Sequence, residues 1–310
     1  MAILKINVSD TIPLSQDITK RLINVNYVGI CGSDKQKLDD PPIKYLGHEI
    51  IGKDMDNGKF VVINPNITCG KCYSCLNGYE NLCSKEKAIG TNVNGGFQGW
   101  LRVPSTNLEY IEKPDIKYIF TDPLAVVLHG MSMIKILSNY KVIVLGNGSI
   151  AKILVWRLNL LGIKPDVMCR SGIWNNKELT ISNLYKLTEK VSLNYYDIAF
   201  ECIGFKQSET IEKSLGMIRP KGKVICFGVF PEDYSPTLKV RRLFEKEITI
   251  LGVRSFTKKD FKYAKNILDL HGSKLISRLC ISVVSSENIN AIMNDIEDRN
   301  IDKVIVRMKR

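Results

Sequence analysis

Apolar positions along the chain change rhythm twice. Through residues 1–120 they come in short runs, such as Phe60 to Ile63, broken by Gly, Pro and Asn, a pattern that predicts an irregular β-rich region. From Lys141 the segment KVIVLG reads as a buried strand running into a glycine turn and a long apolar helix, AKILVWRLNLLG, that Gly162 is placed to terminate. Further strands are expected at Asp166 to Cys169, Asp197 to Cys202 and Lys223 to Gly228, with helical stretches between them. Such alternation predicts a doubly wound parallel sheet, so the fold class is α/β. Past Gly252 the rhythm changes again: residues 258–270 and 287–298 read as amphipathic helices and KVIVRM as a closing strand. There is no repeat, low-complexity tract or flexible linker.

The chain's 310 residues leave room for two cores, since domains usually run to about 100–200 residues. Hydrophobic residues make up 45% and charged residues 25%, an ordinary globular balance that gives no ground for disorder. No stretch approaches the roughly 18 consecutive apolar residues of a membrane span, and MAILKINVSD lacks the basic and apolar regions of a leader, so a cytoplasmic protein without membrane contact is expected. The net charge of +12 suits either a nucleic acid or an anionic small molecule. Its basic residues are scattered, as at Arg241-Arg242, Lys258-Lys259 and Arg307, Lys309 and Arg310, and no nucleic-acid-binding signature accompanies them. A small molecule is therefore the expected partner.

Nine cysteines are present, and four of them, Cys69, Cys72, Cys75 and Cys83, crowd into the fifteen residues CGKCYSCLNGYENLC. In a reducing cytosol such clustering points to metal rather than disulfides. The spacing lets one loop wrap four thiolates around a tetrahedral zinc, which closes the coordination sphere and makes the site structural. An iron–sulfur cluster is the rival occupant. Upstream, GICGSD and LGHE bring Cys31, His48 and Glu49, with glycines beside them. A thiolate and an imidazole suit zinc, but one Cys and one His carry little weight alone.

GICGSD, LGHE, NPNITCGKC and GGFQGW occur in the order seen in the zinc-containing medium-chain dehydrogenase/reductase family, which the chain resembles over almost its whole length. The resemblance implies a GroES-like catalytic domain over 1–123 and 252–310, wrapped around a Rossmann dinucleotide-binding domain over 124–251. It implies that Cys31 and His48 hold a catalytic zinc, bringing the count to two zincs per chain. The third ligand is expected in DPLAVVLHG, where Asp122 stands at a position that polyol dehydrogenases usually fill with Glu. Three arrangements stay open: direct binding by Asp122, binding through water, or completion of the shell by Glu49, the first being the expectation. Asp34 resembles the carboxylate that orients the metal-binding histidine, and Ser33 the first proton relay. The family's usual relay histidine is absent; Lys35 and Gln36 follow instead.

VIVLGNGSIA carries Gly146, Gly148 and Ala151 in a G-x-G-x-x-A pattern, with Ser149 and Ile150 between them, joining a buried strand to a helix. Such a turn lets backbone approach a pyrophosphate at a helix N-terminus. NAD sites place an acid about 20 residues on; here Arg170 stands there, beside Ser171. A guanidinium suits the 2′-phosphate of NADP(H), which is expected in preference to NAD(H).

The stretch from FGVF through VRRLFEKEITILGVRSFTKKDF resembles dehydrogenases that interconvert ribulose 5-phosphate and ribitol 5-phosphate, which makes Arg241 a candidate for substrate anion binding and Arg254 a weaker one. A zinc-linked oxidoreductase acting on a polyol, sugar or sugar phosphate is expected, as a homodimer or homotetramer. The two competing classes are a zinc-independent quinone-type reductase and an inactive, zinc-stapled dinucleotide-binding protein.

Overall fold

Along the strand Lys20–Ile30, Ile23 and Val25 are buried at odd positions, but Val28 and Ile30 at even ones. The parity changes because the register against Glu49–Asp54 slips between Val25 and Tyr27, leaving Asn26 as an extra residue. A bulge of this kind bends a strand and re-aims its side chains. The computed structural model in which this is seen describes residues 8–9, 19–36, 43–174, 176, 178–203, 209–229, 237–288 and 301–309, with backbone only for Lys35 and Gln36. The chain divides into two compact units, Met1–Ala125 with Phe256–Arg310, and Val126–Ser255.

In the first unit, Lys20–Ile30 is the hub of a seven-stranded sheet. One edge pairs antiparallel with Glu49–Asp54; the other pairs with Trp100–Pro104 over its first half and with Lys303–Arg307 over its second. Phe60–Ile63, Leu108–Ile111 and Ile281–Ser285 complete the sheet. Ile23, Val28, Ile50, Val61, Phe97, Val103 and Val306 form the centre of its core. The irregular β-rich region expected of residues 1–120 is therefore most of a single sheet, closed by the strand expected at KVIVRM.

The helix expected over 258–270 runs further, Lys258–Ile276. Thr257 and Asp260 form a capping box at its start, and the buried stripe Phe261, Ala264, Leu268 continues through Gly272 and Leu275. Gly272 does not break the helix because the side chain of Lys117 packs where a β-carbon would stand. The helix expected over 287–298 falls almost wholly outside the described residues, and Glu287 and Asn288 belong to a 3-10 turn, Ser286–Asn288.

The second unit is a six-stranded parallel sheet in the spatial order Leu184–Lys186, Asp166–Cys169, Val142–Leu145, Tyr196–Glu201, Ile218–Cys226, Thr249–Gly252. By sequence that order is 3-2-1-4-5-6, the doubly wound arrangement in which dinucleotides bind where the order reverses, at the carboxyl ends of the first and fourth strands. The helix Ser149–Leu160 buries every residue from Ala151 to Trp156. It ends as expected at Gly162, whose φ of +77° permits the left-handed turn. Pattern alone did not point to the edge strands Leu184–Lys186 and Thr249–Gly252, which are short and part exposed. Among the described residues no helix is long and apolar enough to cross a membrane.

Candidate metal centres and dinucleotide site

The four clustered cysteines converge. Sγ–Sγ separations are 3.5 Å for Cys72 and Cys75, 3.8 Å for Cys72 and Cys83, and 3.9 Å for Cys69 and Cys75. Zinc–sulfur bonds of about 2.3 Å in a tetrahedron put sulfurs about 3.8 Å apart, so the residues fit one zinc ion and leave no space for a multi-iron cluster. The lobe has little else to hold it: Tyr73, Leu76, Tyr79 and Leu82 all face solvent, and the short helix Tyr73–Leu76 buries nothing. Its thiols diverge as neighbours sharing charge do. The Cys75 backbone N–H draws Cys72 down to about 6, while burial and the Cys72 thiolate push Cys75 up to about 11.

A second donor set forms where two strands end. Cys31 follows the strand Lys20–Ile30 and His48 precedes Glu49–Asp54, and these two strands pair with Gly29 opposite Glu49. Ligand atoms of Cys31, His48 and Glu49 lie within 4.8 Å of one another. Glycine is required at 29, because a β-carbon there would stand 2.1 Å from Glu49 Oε2. A soft thiolate, an imidazole and a carboxylate are a donor set that fits zinc.

Asp34 lies beneath this set, fully buried. Its Oδ2 accepts from the Cys31 backbone N–H at 2.9 Å, and its Oδ1 stands 3.3 Å from His48 Nδ1. Burial alone would lower the His48 pKa, but the Asp34 carboxylate and Cys31 outweigh it and raise it well above the ordinary histidine value. Asp122 stands outside the three-residue set, yet it shares its field. Burial pushes its carboxyl up to about 7, Glu49 and Asp34 adding to the effect while His48 and Lys303 oppose it. Ser33 sits on the short helix Gly32–Gln36 between Cys31 and Asp34. The side chains of Lys35 and Gln36 lie outside those described.

Lys303 is the residue that sequence reading missed. Its Nζ donates to both Glu49 carboxylate oxygens, at 2.7 and 2.9 Å, with both side chains almost wholly buried. Burial would lower its pKa, but Glu49 and Cys31 raise it, so the ammonium stays charged. The one available signal was a lysine opening a strand, KVIVR, whose next three residues are apolar.

In the second unit the glycine turn stands at the reversal point. Gly146 has a φ of +126°, and Gly148 caps the helix Ser149–Leu160 with nothing within 4 Å of where its β-carbon would be. That open cradle fits a pyrophosphate, while Ala151 is buried against the sheet. Arg170 is exposed just beyond Asp166–Cys169, with Ser171 beside it. Asn147 in the turn donates to Ser171 Oγ at 3.5 Å. Arg241 lies on Val240–Lys246, its Nε paired with Glu245 at 2.6 Å.

Comparison with known proteins gives two family matches: the alcohol dehydrogenase GroES-like domain over residues 18–115 and the zinc-binding dehydrogenase family over 176–269. L-galactonate-5-dehydrogenase of Escherichia coli K12 is 32% identical over 274 residues, covering 81% of this chain and 80% of that protein. L-idonate 5-dehydrogenase (NAD(P)(+)) of the same organism is 29% identical over 268 residues, covering 76% and 77%. A solved structure described as a zinc-binding dehydrogenase of Sinorhizobium meliloti 1021, bound to NADP, superposes with a TM-score of 0.82 at 25% identity, covering 96% of this chain and 94% of that one.

Two outcomes are expected of these arrangements. Cys72→Ser should lower bound zinc by one equivalent and open segment 69–83 to protease, read by elemental analysis and limited proteolysis; unchanged metal content would contradict the four-thiolate site. Lys303→Met should destabilise the protein by about 3–5 kcal/mol in denaturant unfolding, because it strands a buried carboxylate. Lys303→Arg should cost much less, since it keeps the charge.

Proposed function

The chain belongs to the zinc-containing medium-chain dehydrogenase/reductase family, and on that premise we propose that it interconverts a secondary alcohol of a polyol, sugar or polyol phosphate and the corresponding ketone, with NADP(H) as hydride carrier. At the coarser level it is a zinc-dependent, nicotinamide-linked polyol dehydrogenase. The observation carrying the proposal is the mixed donor set of Cys31, His48 and Glu49, backed by Asp34. A zinc-independent quinone-type reductase has no use for such a set, and neither has an inactive protein stapled by its four-cysteine lobe.

We assign the catalytic zinc to Cys31, His48 and Glu49, and the structural zinc to Cys69, Cys72, Cys75 and Cys83. Asp122 then acts from outside the shell. Zinc in the first site supplies Lewis acidity, of the kind that lowers the pKa of water from 15.7 to about 7. Asp34 fixes the tautomer of His48 through Nδ1, leaving Nε2 for the metal. Ser33 is placed to relay the substrate hydroxyl proton, and a bound nicotinamide would supply the hydride acceptor for the carbinol carbon. Gln36 cannot titrate, so the proton leaves by water or by cofactor ribose hydroxyls.

Gly146, Gly148, Ser149, Ile150 and Ala151 hold the pyrophosphate, and Arg170 with Ser171 receives the 2′-phosphate. The two Escherichia coli relatives are named as dehydrogenases of the sugar acids L-galactonate and L-idonate, and the net charge of +12 suits an anionic substrate. Ribitol 5-phosphate remains one member of the proposed substrate class. Arg241 is given no role in it, being engaged by Glu245. Cytoplasmic location and assembly into a homodimer or homotetramer complete the proposal.

A panel of polyols, sugar acids and sugar phosphates assayed with both cofactors tests the substrate class; no turnover of any secondary alcohol would contradict it. Cys31→Ser should remove one zinc and abolish turnover while the four-thiolate zinc stays. Glu49→Gln should also release that zinc, whereas Asp122→Ala should keep it; the reverse pattern would make Asp122 the third ligand. For the cofactor, one charge-assisted phosphate contact corresponds to roughly a 10- to 100-fold preference for NADP in kcat/KM. Arg170→Asp should invert it, and a preference for NAD that the substitution leaves untouched would contradict the assignment.

A further inference from the structure

Building on the reading that Arg170 receives the 2′-phosphate, we infer that Lys186 is a second recognition residue for that phosphate, held toward it by Gly172. Lys186 ends the edge strand Leu184–Lys186, which runs parallel to Asp166–Cys169 with Lys186 opposite Cys169. The Leu187 backbone N–H donates to the Cys169 carbonyl at 2.9 Å, so the pairing continues past both strand ends. Lys186 therefore emerges at the carboxyl edge of the sheet, one strand over from Arg170.

Its side chain runs along the turn that carries Arg170. A β-carbon at Gly172 would stand 2.4 Å from Lys186 Cγ, 3.0 Å from Cε and 3.3 Å from Cδ. The whole aliphatic stem thus lies across the Gly172 backbone, in space that any side chain there would take. Gly172 also has a φ of +62°, which favours glycine independently. The turn is braced from inside: Ser171 Oγ accepts from the Ile173 N–H at 3.2 Å and from Asn147 Nδ2 at 3.5 Å, and Asn147 stands between Gly146 and Gly148. The pyrophosphate turn and the Arg170 turn are consequently one connected surface.

Among the described residues no carboxylate pairs with Arg170 or Lys186, both of which are exposed. In the same unit Arg219, Lys221, Arg241 and Arg242 each have an acidic partner. Two exposed cations on adjacent strand ends, with the Ser171 hydroxyl in the turn that follows Arg170, suit a phosphate monoester carrying close to two negative charges. The guanidinium offers a planar fork of donors and the ammonium a mobile point charge, so the two can engage different oxygens. A bare ribose with free hydroxyls gives neither cation a counter-charge.

The test is calorimetric titration of the whole protein with adenosine 2′,5′-bisphosphate and with 5′-AMP, which differ only in the 2′-phosphate. Lys186→Met keeps the stem over Gly172 and removes the ammonium. It should weaken the bisphosphate about tenfold and leave 5′-AMP unchanged, while Lys186→Arg should retain most of the affinity. If Lys186→Met binds the bisphosphate like the wild type while Arg170→Ala does not, Lys186 has no part and the cofactor reading stands. If the wild type binds the two nucleotides equally, the cofactor reading itself fails and Lys186 falls with it.

Discussion

One buried ion pair joins parts of the first unit that lie 254 residues apart in sequence, Glu49 and Lys303. Each carboxylate oxygen accepts from the ammonium, in a place with almost no solvent, and keeps a further lone pair. A charge pair so enclosed contributes little net stability against an apolar alternative, yet losing either partner leaves an uncompensated charge. Its value therefore lies in position. Pairing with Lys303 holds the Glu49 carboxylate beside Cys31 and His48, and it ties the closing strand to Glu49–Asp54 across the strand from which Cys31 emerges. Gly29 makes room for it by having no side chain. The donor set, its orienting carboxylate Asp34 and the closure of the seven-stranded sheet all meet at this pair.

The two proposed metal centres would divide the work along lines that their donors set. Four thiolates close a coordination sphere, so that centre can only hold a lobe whose large side chains face water. A thiolate, an imidazole and a carboxylate leave an open position, so that centre can meet a substrate. Metal binding in the lobe would also be folding of the lobe, since the short helix there buries nothing.

The legible parts of the fold were those written in short range. The cysteine spacing, the glycine turn with its following helix, and each central strand of the parallel sheet taken singly lie within short stretches of consecutive residues, where periodicity and spacing carry the signal. What escaped was long-range or weakly patterned. Lys303 could not be matched to Glu49 from sequence because nothing local ties a strand's first lysine to a carboxylate in another strand. Leu184–Lys186 and Thr249–Gly252 are edge strands with one side exposed, so they lack the continuous apolar run of a central parallel strand. The helix from Lys258 runs beyond the expected 270 to Ile276, with Gly272 packed against the side chain of Lys117. The role proposed for Lys186 was invisible for a related reason: it depends on a stem crossing a glycine on the neighbouring strand's turn.

The central claim is that one chain holds two chemically different zinc ions, a closed one and an open one. Zinc K-edge X-ray absorption on the purified protein tests it most directly, because scattering distinguishes sulfur from nitrogen and oxygen neighbours. Five sulfurs shared between two zincs are expected, four from Cys69, Cys72, Cys75 and Cys83 and one from Cys31, with nitrogen and oxygen scatterers at the shorter distance. A spectrum of four sulfurs per zinc with no nitrogen or oxygen shell would contradict it, leaving a zinc-stapled protein without a catalytic metal.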